Sequence, residues 1–367
     1  MTKEEYMRLA ISLAAKGEGR VSPNPLVGAV LVKDGRVIGE GYHEQYGGLH
    51  AERNAFAHCM EDAEGATLYV TLEPCCHYGK TPPCTEAIIE HKIKKVVVGI
   101  MDPNPLVAGK GLKILNDAGI ETEVGILENE CRKQNEIFLH YIKHKIPFVT
   151  MKYAMTMDGK IATAAGESKW ITGEEARANV QQTRNRYMGI MAGVGTVLAD
   201  NPQLTCRIEG GRNPVRIICD THLRTPLTAN VVETAKEART ILATCCDDEN
   251  KQQKYLDAGC EIVKTTEEAG HVNLKELMQV LGQKGIDSIL LEGGSEMNFA
   301  ALKAGIVTKV QAYVAPKLFG GQGAKTPVGG EGFLQIPDSV KLTNVKTTCI
   351  GEDILIEGEV ASCSQES

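Results

Sequence analysis

The chain has 367 residues, and since a domain usually holds roughly 100 to 200 residues, two domains are expected. Hydrophobic residues make up 43% and charged residues 24%, and no apolar run approaches the ~20 residues of a membrane span, which argues against a membrane protein. Residues 1–146 carry 17 Lys and Arg against 20 Asp and Glu, and the remainder carries 23 against 27, so neither half has the basic charge of a nucleic-acid-binding domain.

The N-terminal segment mixes charged and apolar residues at helical spacing, and it lacks the uninterrupted apolar stretch of a secretory signal. It predicts the first helix of a cytoplasmic protein. The chain contains 12 cysteines. In a long chain without an export signal, they indicate reduced thiols or metal ligands rather than a disulfide framework.

Short β-rich runs alternate with helical patterns in the first half, which predicts α/β layers. The expected strands are residues 26–32, 66–72, 95–100 and 121–126. The expected helices are residues 51–59, 84–91, 111–118 and 128–144. Pro147 follows the last helix and cannot continue it, so the predicted domains are residues 1–146 and 147–367.

The second half repeats the alternation, which predicts a mostly parallel sheet with ligands at the carboxyl ends of its strands. The expected strands are residues 148–154, 189–192, 215–220, 240–244, 261–264 and 288–292. The expected helices are residues 174–185, 274–281 and 296–304, followed by a β-rich tail at 309–357.

Three residues with zinc-binding side chains stand at predicted junctions of strands and helices. His50 begins a helical stretch, Cys75 follows a strand, and Cys84 starts a second helix after two prolines. A hydrolytic zinc site has three protein ligands and an open position for water. The helix N-terminus favours the thiolate form of Cys84, which is the form that binds metal. A fourth ligand from Cys76 or His77 would instead make the site structural.

Glu52 lies two residues after His50 and need not bind the metal. Its carboxylate can take a proton from water acidified by zinc and pass it to a ring and then to a departing amine. An isolated His-x-Glu occurs by chance in many chains, so the prediction rests on the ligands and Glu52 together. They predict hydrolytic removal of an amino group from a pyrimidine-like ring.

This pattern resembles the zinc-dependent cytidine deaminase superfamily, whose signature is His-x-Glu followed by Pro-Cys-x-x-Cys. The chain departs from that spacing, because position 78 is Tyr and the second cysteine arrives only at 84, within CCHYGKTPPC. That insertion is similar to the deaminase half of the bifunctional riboflavin-biosynthesis deaminase/reductases. The segments NP-x-VG at 24–28 and GYH at 41–43 also match that family.

The resemblance implies four substrate contacts in the first half. Asn24 and His43 are expected to contact the substrate, while His77 and Lys80 are expected over the pocket near the sugar phosphate. A solvated loop lysine is an equally open interpretation of Lys80.

Three segments of the second half bear on ligand binding. The first, DGKIA at 158–162 and SKWIT at 168–172, contains the only tryptophan, Trp170, for which core packing is the alternative role. The second, AGVGTVL at 192–198, lacks the third glycine of a dinucleotide fingerprint, so a Rossmann fold is weakly supported. The third, a strand ending in Gly293-Gly294-Ser295, predicts a phosphate site at a helix N-terminus or simply a tight turn.

Together these segments resemble the reductase half of the same family, whose fold is similar to dihydrofolate reductase. The resemblance places NADPH along Ala154, Trp170, Thr172, Thr196, Asp200, Thr221, Gly294, Ser295, Glu296, Met297, Asn298, Phe299 and Ala300. It assigns the sugar-phosphate substrate to Ser168, Arg184, Leu204, Arg207 and Glu292. Arg184 and Arg207 suit a phosphate, because guanidinium groups bind it bidentately, although a surface salt bridge is the commoner role of an arginine.

We therefore expect an α/β protein with an N-terminal cytidine-deaminase-like three-layer domain and a C-terminal dihydrofolate-reductase-like domain. The first would remove the 2-amino group of a diamino-ribosylamino-pyrimidinone phosphate, with one zinc ion per domain. The second would reduce the ribosyl chain to ribityl with NADPH. A homo-oligomer is expected, with no nucleic-acid or membrane partner. The nearest candidates for a reductase acid or base are Glu292 and Asp200.

Two other functions stay open at this point. The first is a deaminase of nucleic-acid bases whose second half is a binding domain, which would need a basic surface that the net charge of −7 opposes. The second is a non-enzymatic module that binds nucleotides and is stabilised by zinc. A Glu52→Gln variant that folds but no longer releases ammonia would argue against such a module.

Overall fold

Strands and helices alternate along most of the chain, as the sequence predicts. The computed structural model describes residues 1–78, 82–104 and 108–361, and it divides into two units, Met1–Lys145 and the chain from Ile146 onward. No helix within these ranges has both the length and the apolar character needed to cross a bilayer. The cysteines of the described ranges form no disulfide.

The first unit contains a five-stranded sheet in the order β2-β1-β3-β4-β5. Its strands are β1 Gly28–Lys33, β2 Arg36–Tyr42, β3 Thr67–Leu72, β4 Lys95–Ile100 and β5 Glu121–Val124. Its helices are α1 Lys3–Ala15, α2 Ala51–Ala57, α3 Cys84–Glu90, α4 Lys110–Asp117, α5 Glu128–Gln134 and α6 Glu136–His144. Strand β1 is antiparallel to β2 and β3, whereas β3, β4 and β5 are parallel.

Helices cover both faces of this sheet and produce three layers. On one face, α2, α3 and α4 bury Ala51, Ile88 and Leu115 against the strands. On the other face, α1 buries Met7 and Ala10. Helix α1 begins where predicted, because Thr2 and Glu5 form a capping box that satisfies the first free amides.

Two expectations for the first unit are wrong. Strand β2 was not predicted, although it forms a hairpin with β1. The expected helix 128–144 is two helices that meet at Asn135. The Asn135 amide donates to the Leu26 carbonyl and accepts from the Leu26 N–H, and this contact from within the helical run holds the chain near β1.

The second unit contains a nine-stranded sheet in the order β10-β9-β8-β7-β13-β6-β14-β16-β15. Its strands are β6 Phe148–Thr156, β7 Gly189–Gly193, β8 Val215–Cys219, β9 Thr240–Thr244, β10 Glu261–Lys264, β13 Ser288–Leu291, β14 Lys309–Ala315, β15 Leu342–Ile350 and β16 Asp353–Val360. The short strands β11 Glu267–Glu268 and β12 His271–Val272 form a separate pair. Its helices are α7 Glu174–Arg186, α8 Val194–Asp200, α9 Asn230–Glu233, α10 Glu249–Asp257, α11 Leu274–Gln283 and α12 Ser295–Lys303, with a 3-10 turn at Ile336–Asp338.

The sheet is parallel from β10 to β14, as predicted, and antiparallel only at β14-β16-β15. Helices α11 and α12 pack on one face, whereas α8, α9 and α10 pack in a second cluster. The carboxyl ends of β7, β13 and β6 therefore lie side by side at the centre of one edge. Ligand sites of parallel α/β sheets form at this edge.

The second unit also differs from the prediction. Helix α8, which begins at Val194 directly after β7, was not predicted. Helix α10 was not predicted. The β-rich tail is interrupted, because no strand forms between Ala315 and Leu342.

A buried arginine holds part of the second unit together. Arg216 on β8 is fully buried, and its guanidinium donates only to uncharged oxygens. The acceptors are the Thr234 carbonyl and hydroxyl, the Thr240 hydroxyl, and the carbonyls of Gln203 and Ala238. The guanidinium thus supplies hydrogen-bond donors to buried oxygens that have no partner in a helix or strand. In this way Arg216 holds several loops together.

We expect Arg216→Met to lower the free energy of unfolding of the second unit by about 3–5 kcal/mol, because methionine fills much of the volume but leaves buried acceptors unpaired. Denaturant unfolding monitored by circular dichroism measures this loss. Arg239→Met is the control, since its ion pair with Glu261 is exposed and should contribute less than about 1 kcal/mol. Equal losses in the two variants would contradict the role given to Arg216.

Candidate functional sites

The three predicted zinc ligands of the first unit lie close together. The ligand atoms of His50, Cys75 and Cys84 all lie within 4.8 Å of one another. His50 Nδ1 lies 3.4 Å from each sulfur. His50 precedes α2, Cys75 follows β3, and Cys84 is the first residue of α3, so three separate segments position the donors. This set of one imidazole and two thiols fits zinc, and the structure includes no fourth ligand among the described residues.

The surroundings of Cys75 favour its thiolate. The Cys84 thiol, and after it His50, lower the pKa of Cys75 to about 4. The backbone N–H of Cys84, at the start of α3, also donates to the Cys75 sulfur over 3.3 Å. The lowered pKa favours the thiolate, which is the state that a zinc ligand requires.

The fourth residue of the predicted constellation, Glu52, is buried beside the ligands. Its side chain is on the first turn of α2 and is 3% exposed. Burial raises the pKa of Glu52, and its carboxylate makes a hydrogen bond with the Cys84 thiol. A carboxyl group with a raised pKa can hold and release a proton near neutral pH, which suits general acid–base work.

Glu73, which sequence reasoning missed, fixes the segment that carries Cys75. Its side chain is 3% exposed, and its two carboxylate oxygens accept from the backbone N–H groups of Asp102, Gly109, Gly111 and Leu112. The carboxylate thus caps α4. A Cβ on Gly111 would lie 2.4 Å from the Pro74 carbonyl oxygen, so only glycine permits this close packing. A glutamate directly before Pro-Cys was the available signal.

The structure brings Asn24 and His43 together next to the ligands. His43 Nδ1 donates to the Leu49 carbonyl over 2.9 Å, so its Nε2 accepts from the Asn24 amide over 3.1 Å. Burial lowers the pKa of His43, which agrees with a neutral ring. The His43 ring packs edge-on against the His50 ring, with centroids 5.5 Å apart. These two predicted substrate residues therefore border the candidate metal centre.

The other two predicted contacts have different outcomes. His77 is exposed, and its contact with the substrate stays a prediction. Burial raises the pKa of Asp102 to about 6. Lys80 lies outside the described residues.

The strongest charge cluster of the second unit lies at the carboxyl ends of its central strands. Glu292 follows β13, and its carboxylate accepts from Arg184 Nε and Nη2 over 2.7 and 3.0 Å. Lys152 on β6 lies 3.7 Å from the same carboxylate. Burial raises the pKa of Glu292, but the two cations outweigh it and lower the pKa to about 2. Glu292, whose side chain is 13% exposed, is therefore an anion. Lys152 was missed, although a lysine within an apolar strand was a signal.

Arg184 lies in an ion pair, and its predicted contact with a phosphate stays a prediction. Two of its nitrogens bind Glu292, and Nη1 donates to the Thr205 carbonyl over 3.0 Å. Its guanidinium thus joins α7 to the loop after α8. Leu204 in that loop is 4% exposed and has a positive φ of 52°. The backbone N–H of Arg207 donates to the side-chain oxygen of Gln181. Arg207 is exposed, so it is the one of the two arginines that faces solvent.

The segment from Gly293 to the start of α12 places two glycines at a helix N-terminus. A Cβ on Gly293 would lie 2.8 Å from the Asn298 side-chain oxygen, and a Cβ on Gly294 would lie 3.5 Å from Thr196 Oγ1. Predicted cofactor residues on α8 and α12 are therefore neighbours. The close approach that only glycine allows, together with the free amides of a nine-residue helix, fits a cofactor phosphate.

Not every predicted residue of α12 offers its side chain to a ligand. Asn298 and Phe299 are buried, and Met297 packs against the core. The Asn298 amide donates to the Pro327 carbonyl, and the Phe299 ring contacts the Phe333 ring. These positions can contact a cofactor only through the backbone. Ser295, Glu296 and Ala300 are at least partly exposed.

The remaining predicted residues lie at several places around the same edge. Trp170 is 63% exposed, so core packing is wrong, and the Arg177 guanidinium lies 4.6 Å from its ring centroid. Thr172 is 8% exposed and accepts from Arg177 through its carbonyl. Partly exposed positions are Ala154 on β6, Ser168, and Thr221 after β8. Asp200 ends α8 and is exposed.

We expect Glu73→Gln to weaken retention of zinc by about tenfold, because an amide cannot accept from all of the backbone N–H groups that hold the Cys75 segment. The rate of zinc transfer to a chromogenic chelator measures the effect. Glu64→Gln is the control, since Glu64 makes only an exposed ion pair with Lys92. Identical transfer rates in wild type and Glu73→Gln would refute the role of Glu73.

Two family models match successive parts of the chain. Residues 1–100 match the cytidine and deoxycytidylate deaminase zinc-binding region. Residues 147–356 match the RibD C-terminal domain. Both halves that the sequence predicts are therefore present in one polypeptide, in the expected order.

Relatives match over nearly the whole length. Riboflavin biosynthesis protein RibD of Actinobacillus pleuropneumoniae is 57% identical over 362 residues, which cover 99% of this chain and 96% of that protein. The solved structure of Acinetobacter baumannii RibD is 39% identical, with a TM-score of 0.88 and 98% of each chain covered. A deaminase/reductase from Thermotoga maritima is 42% identical, with a TM-score of 0.85 and 98% of each chain covered.

These matches confirm the predicted fold class, with a cytidine-deaminase-like first domain and a reductase domain after it. They also confirm that the chain is a hydrolase and an oxidoreductase of riboflavin biosynthesis that uses zinc and a nicotinamide cofactor. The chain belongs to the family of bifunctional riboflavin-biosynthesis enzymes, in which a zinc-binding deaminase domain and a reductase domain follow each other.

Proposed function

We propose that residues 1–146 deaminate 2,5-diamino-6-(5-phosphoribosylamino)pyrimidin-4(3H)-one, and that residues 147–367 reduce the ribosyl side chain of the product to ribityl with NADPH. The observation that carries the proposal is the convergence of His50, Cys75 and Cys84 beside the buried carboxylate of Glu52. The names of the relatives support the substrate, because the Thermotoga maritima protein is described as a diaminohydroxyphosphoribosylaminopyrimidine deaminase.

In the deaminase, one zinc ion bound by the three ligands would supply the Lewis acidity that makes water nucleophilic near neutral pH. Glu52 takes the proton of the attacking water and delivers it to the ring and then to the amine that leaves as ammonia. Its buried position excludes bulk water from this transfer. Asn24, held by its amide on the neutral ring of His43, presents its side-chain oxygen for an N–H group of the pyrimidine.

In the reductase, NADPH would supply the hydride, and the protein would supply orientation and charge. The Gly293–Gly294 turn and the α12 N-terminus hold a cofactor phosphate, while Trp170, Thr172 and Thr196 border the same edge. Arg207, which is exposed on the loop after α8, binds the phosphate of the substrate.

Glu292 is our choice over Asp200 as the acidic group nearest the chemistry of the reductase. It lies beside Lys152 and Arg184 at the central strand ends, whereas Asp200 is exposed at the end of α8. The lowered pKa keeps Glu292 ionised at neutral pH, so it acts there as an anchor that orients the cations of Lys152 and Arg184.

A homo-oligomer built on the second unit completes the proposal. The edge strand β15 is exposed along most of its length, and nearby Leu334 and Ile336 are 95% and 91% exposed. An exposed edge strand beside exposed apolar side chains favours pairing with another copy. The small-molecule substrate agrees with the net charge of −7, and the thiol ligands agree with the reducing cytoplasm.

We expect Glu52→Gln to lower ammonia release by about 10²- to 10⁴-fold, because glutamine has the size of glutamate but cannot carry the proton. Zinc content and NADPH oxidation on the deaminated intermediate should stay at wild-type levels. Glu40→Gln on the exposed face of β2 is the control. Ammonia release at the wild-type rate in Glu52→Gln would rule out the assigned role.

A further inference from the structure

Residues 316–330 of the second unit form neither helix nor strand, and we call this stretch the strap. It follows β14, which pairs with β6 as far as Ala315 opposite Thr156. The chain after β6, residues 157–172, contains Ser168, Trp170 and Thr172, and we call it the Trp170 segment. The pairing of β14 with β6 brings the first residues of the two stretches close together. Beyond Ala315 and Thr156 the sheet no longer holds them, so other contacts must position them.

The carboxylate of Asp158 makes the first of these contacts. Asp158 Oδ1 accepts from the Phe319 N–H over 3.1 Å, and Oδ2 accepts from the Gly320 N–H over 2.7 Å. The Thr156 hydroxyl donates to Oδ1 over 2.5 Å. The carboxylate thus joins the turn at the start of the Trp170 segment to two consecutive amides of the strap. Such charge-assisted bonds to backbone amides are among the strong hydrogen bonds of proteins.

Lysine 317 makes a second contact at the far end of the Trp170 segment. Lys317 Nζ donates to the carbonyls of Trp170 and Ile171 over 3.2 and 2.7 Å. Between the two ends, the Ile161 N–H donates to the Lys325 carbonyl over 2.9 Å. The strap therefore holds the Trp170 segment at its start, middle and end.

The strap also reaches α12, the helix proposed to hold a cofactor phosphate. The Asn298 amide donates to the Pro327 carbonyl over 2.8 Å, and the Gly329 N–H donates to the Ser295 carbonyl over 3.1 Å. A Cβ on Gly329 would lie 2.4 Å from Ser295 Oγ. The strap consequently connects the two groups of residues assigned to the cofactor, those near Trp170 and those on α12.

We propose that Asp158 is a positioning residue for the reductase, which sets the Trp170 segment against the strap and so determines the affinity for the nicotinamide cofactor. This inference rests on the proposed function, because Trp170 and Thr172 are cofactor residues only within it. Asp158 needs no contact with cofactor or substrate in this role. Its effect on the reductase passes through the backbone of Phe319 and Gly320.

The test uses Trp170, the only tryptophan of the chain, as a local probe. The full-length Asp158→Ala and Asp158→Asn variants are compared with wild type by acrylamide quenching of tryptophan fluorescence without ligand, and by titration with NADPH. Asp257→Ala, an exposed substitution on α10, is the matched control. Ammonia release and the melting temperature are measured on the same samples.

Asp158→Ala should raise the Kd for NADPH by about tenfold or more, and Trp170 should become more accessible to acrylamide. Asp158→Asn should show a smaller change, because its amide keeps one acceptor oxygen for the strap. The KM for NADPH should rise more than kcat falls, while ammonia release stays at the wild-type rate. Asp257→Ala should match wild type throughout.

Unchanged quenching and an unchanged Kd for NADPH in Asp158→Ala would overturn the proposal. A fall in melting temperature that accompanies equal losses in kcat and in ammonia release would also overturn it, since this would show a general structural role. If wild type binds no nicotinamide cofactor, the proposed function fails instead. The quenching of Trp170 in the ligand-free variants then still tests whether Asp158 positions the segment.

Discussion

The deaminase domain depends on the convergence of one nitrogen and two sulfur atoms from three segments of chain. Their three donor atoms lie within 4.8 Å, and this spacing requires that β3, α2 and α3 end or begin at the same place. Much of the surrounding structure serves that requirement. Glu73 ties the Cys75 segment to α4, Gly111 allows close packing on Pro74, and the first amide of α3 reaches the Cys75 sulfur.

In the reductase domain, side chains from separate segments also converge, but they are held together by ion pairs. Glu292, Arg184 and Lys152 come from a strand end, a helix and a neighbouring strand, and two cations pair with one carboxylate where β13 and β6 lie side by side. The cations keep this carboxylate ionised, because desolvation alone would raise its pKa. Both clusters thus lie at junctions of helices and strands, where small shifts of a loop would separate their members.

Residues with restricted chemistry could be predicted from the sequence, because few side chains bind zinc or carry protons. His50, Glu52, Cys75 and Cys84 are of this kind, and the structure brings them together. The parallel core of the second sheet followed from apolar periodicity. Strand β2 was missed because its glycines and charged residues weaken the β pattern. Glu73 and Asp158 accept from backbone amides that are distant in the sequence, so the sequence could at most mark Glu73 by its place before Pro-Cys and could not show which amides either residue binds. Arg184 pairs with Glu292, 108 residues away, so its engagement could be seen only in the fold.

The central claim is that one chain carries out deamination and then reduction on the same phosphorylated pyrimidine. The most direct measurement gives the purified protein the diaminopyrimidinone ribosyl phosphate and NADPH, and follows ammonia release and NADPH oxidation together with zinc content. We predict one ammonia released and one NADPH oxidised per substrate, with one zinc ion per chain. Ammonia release without NADPH oxidation, or NADPH oxidation without ammonia release, would contradict this account.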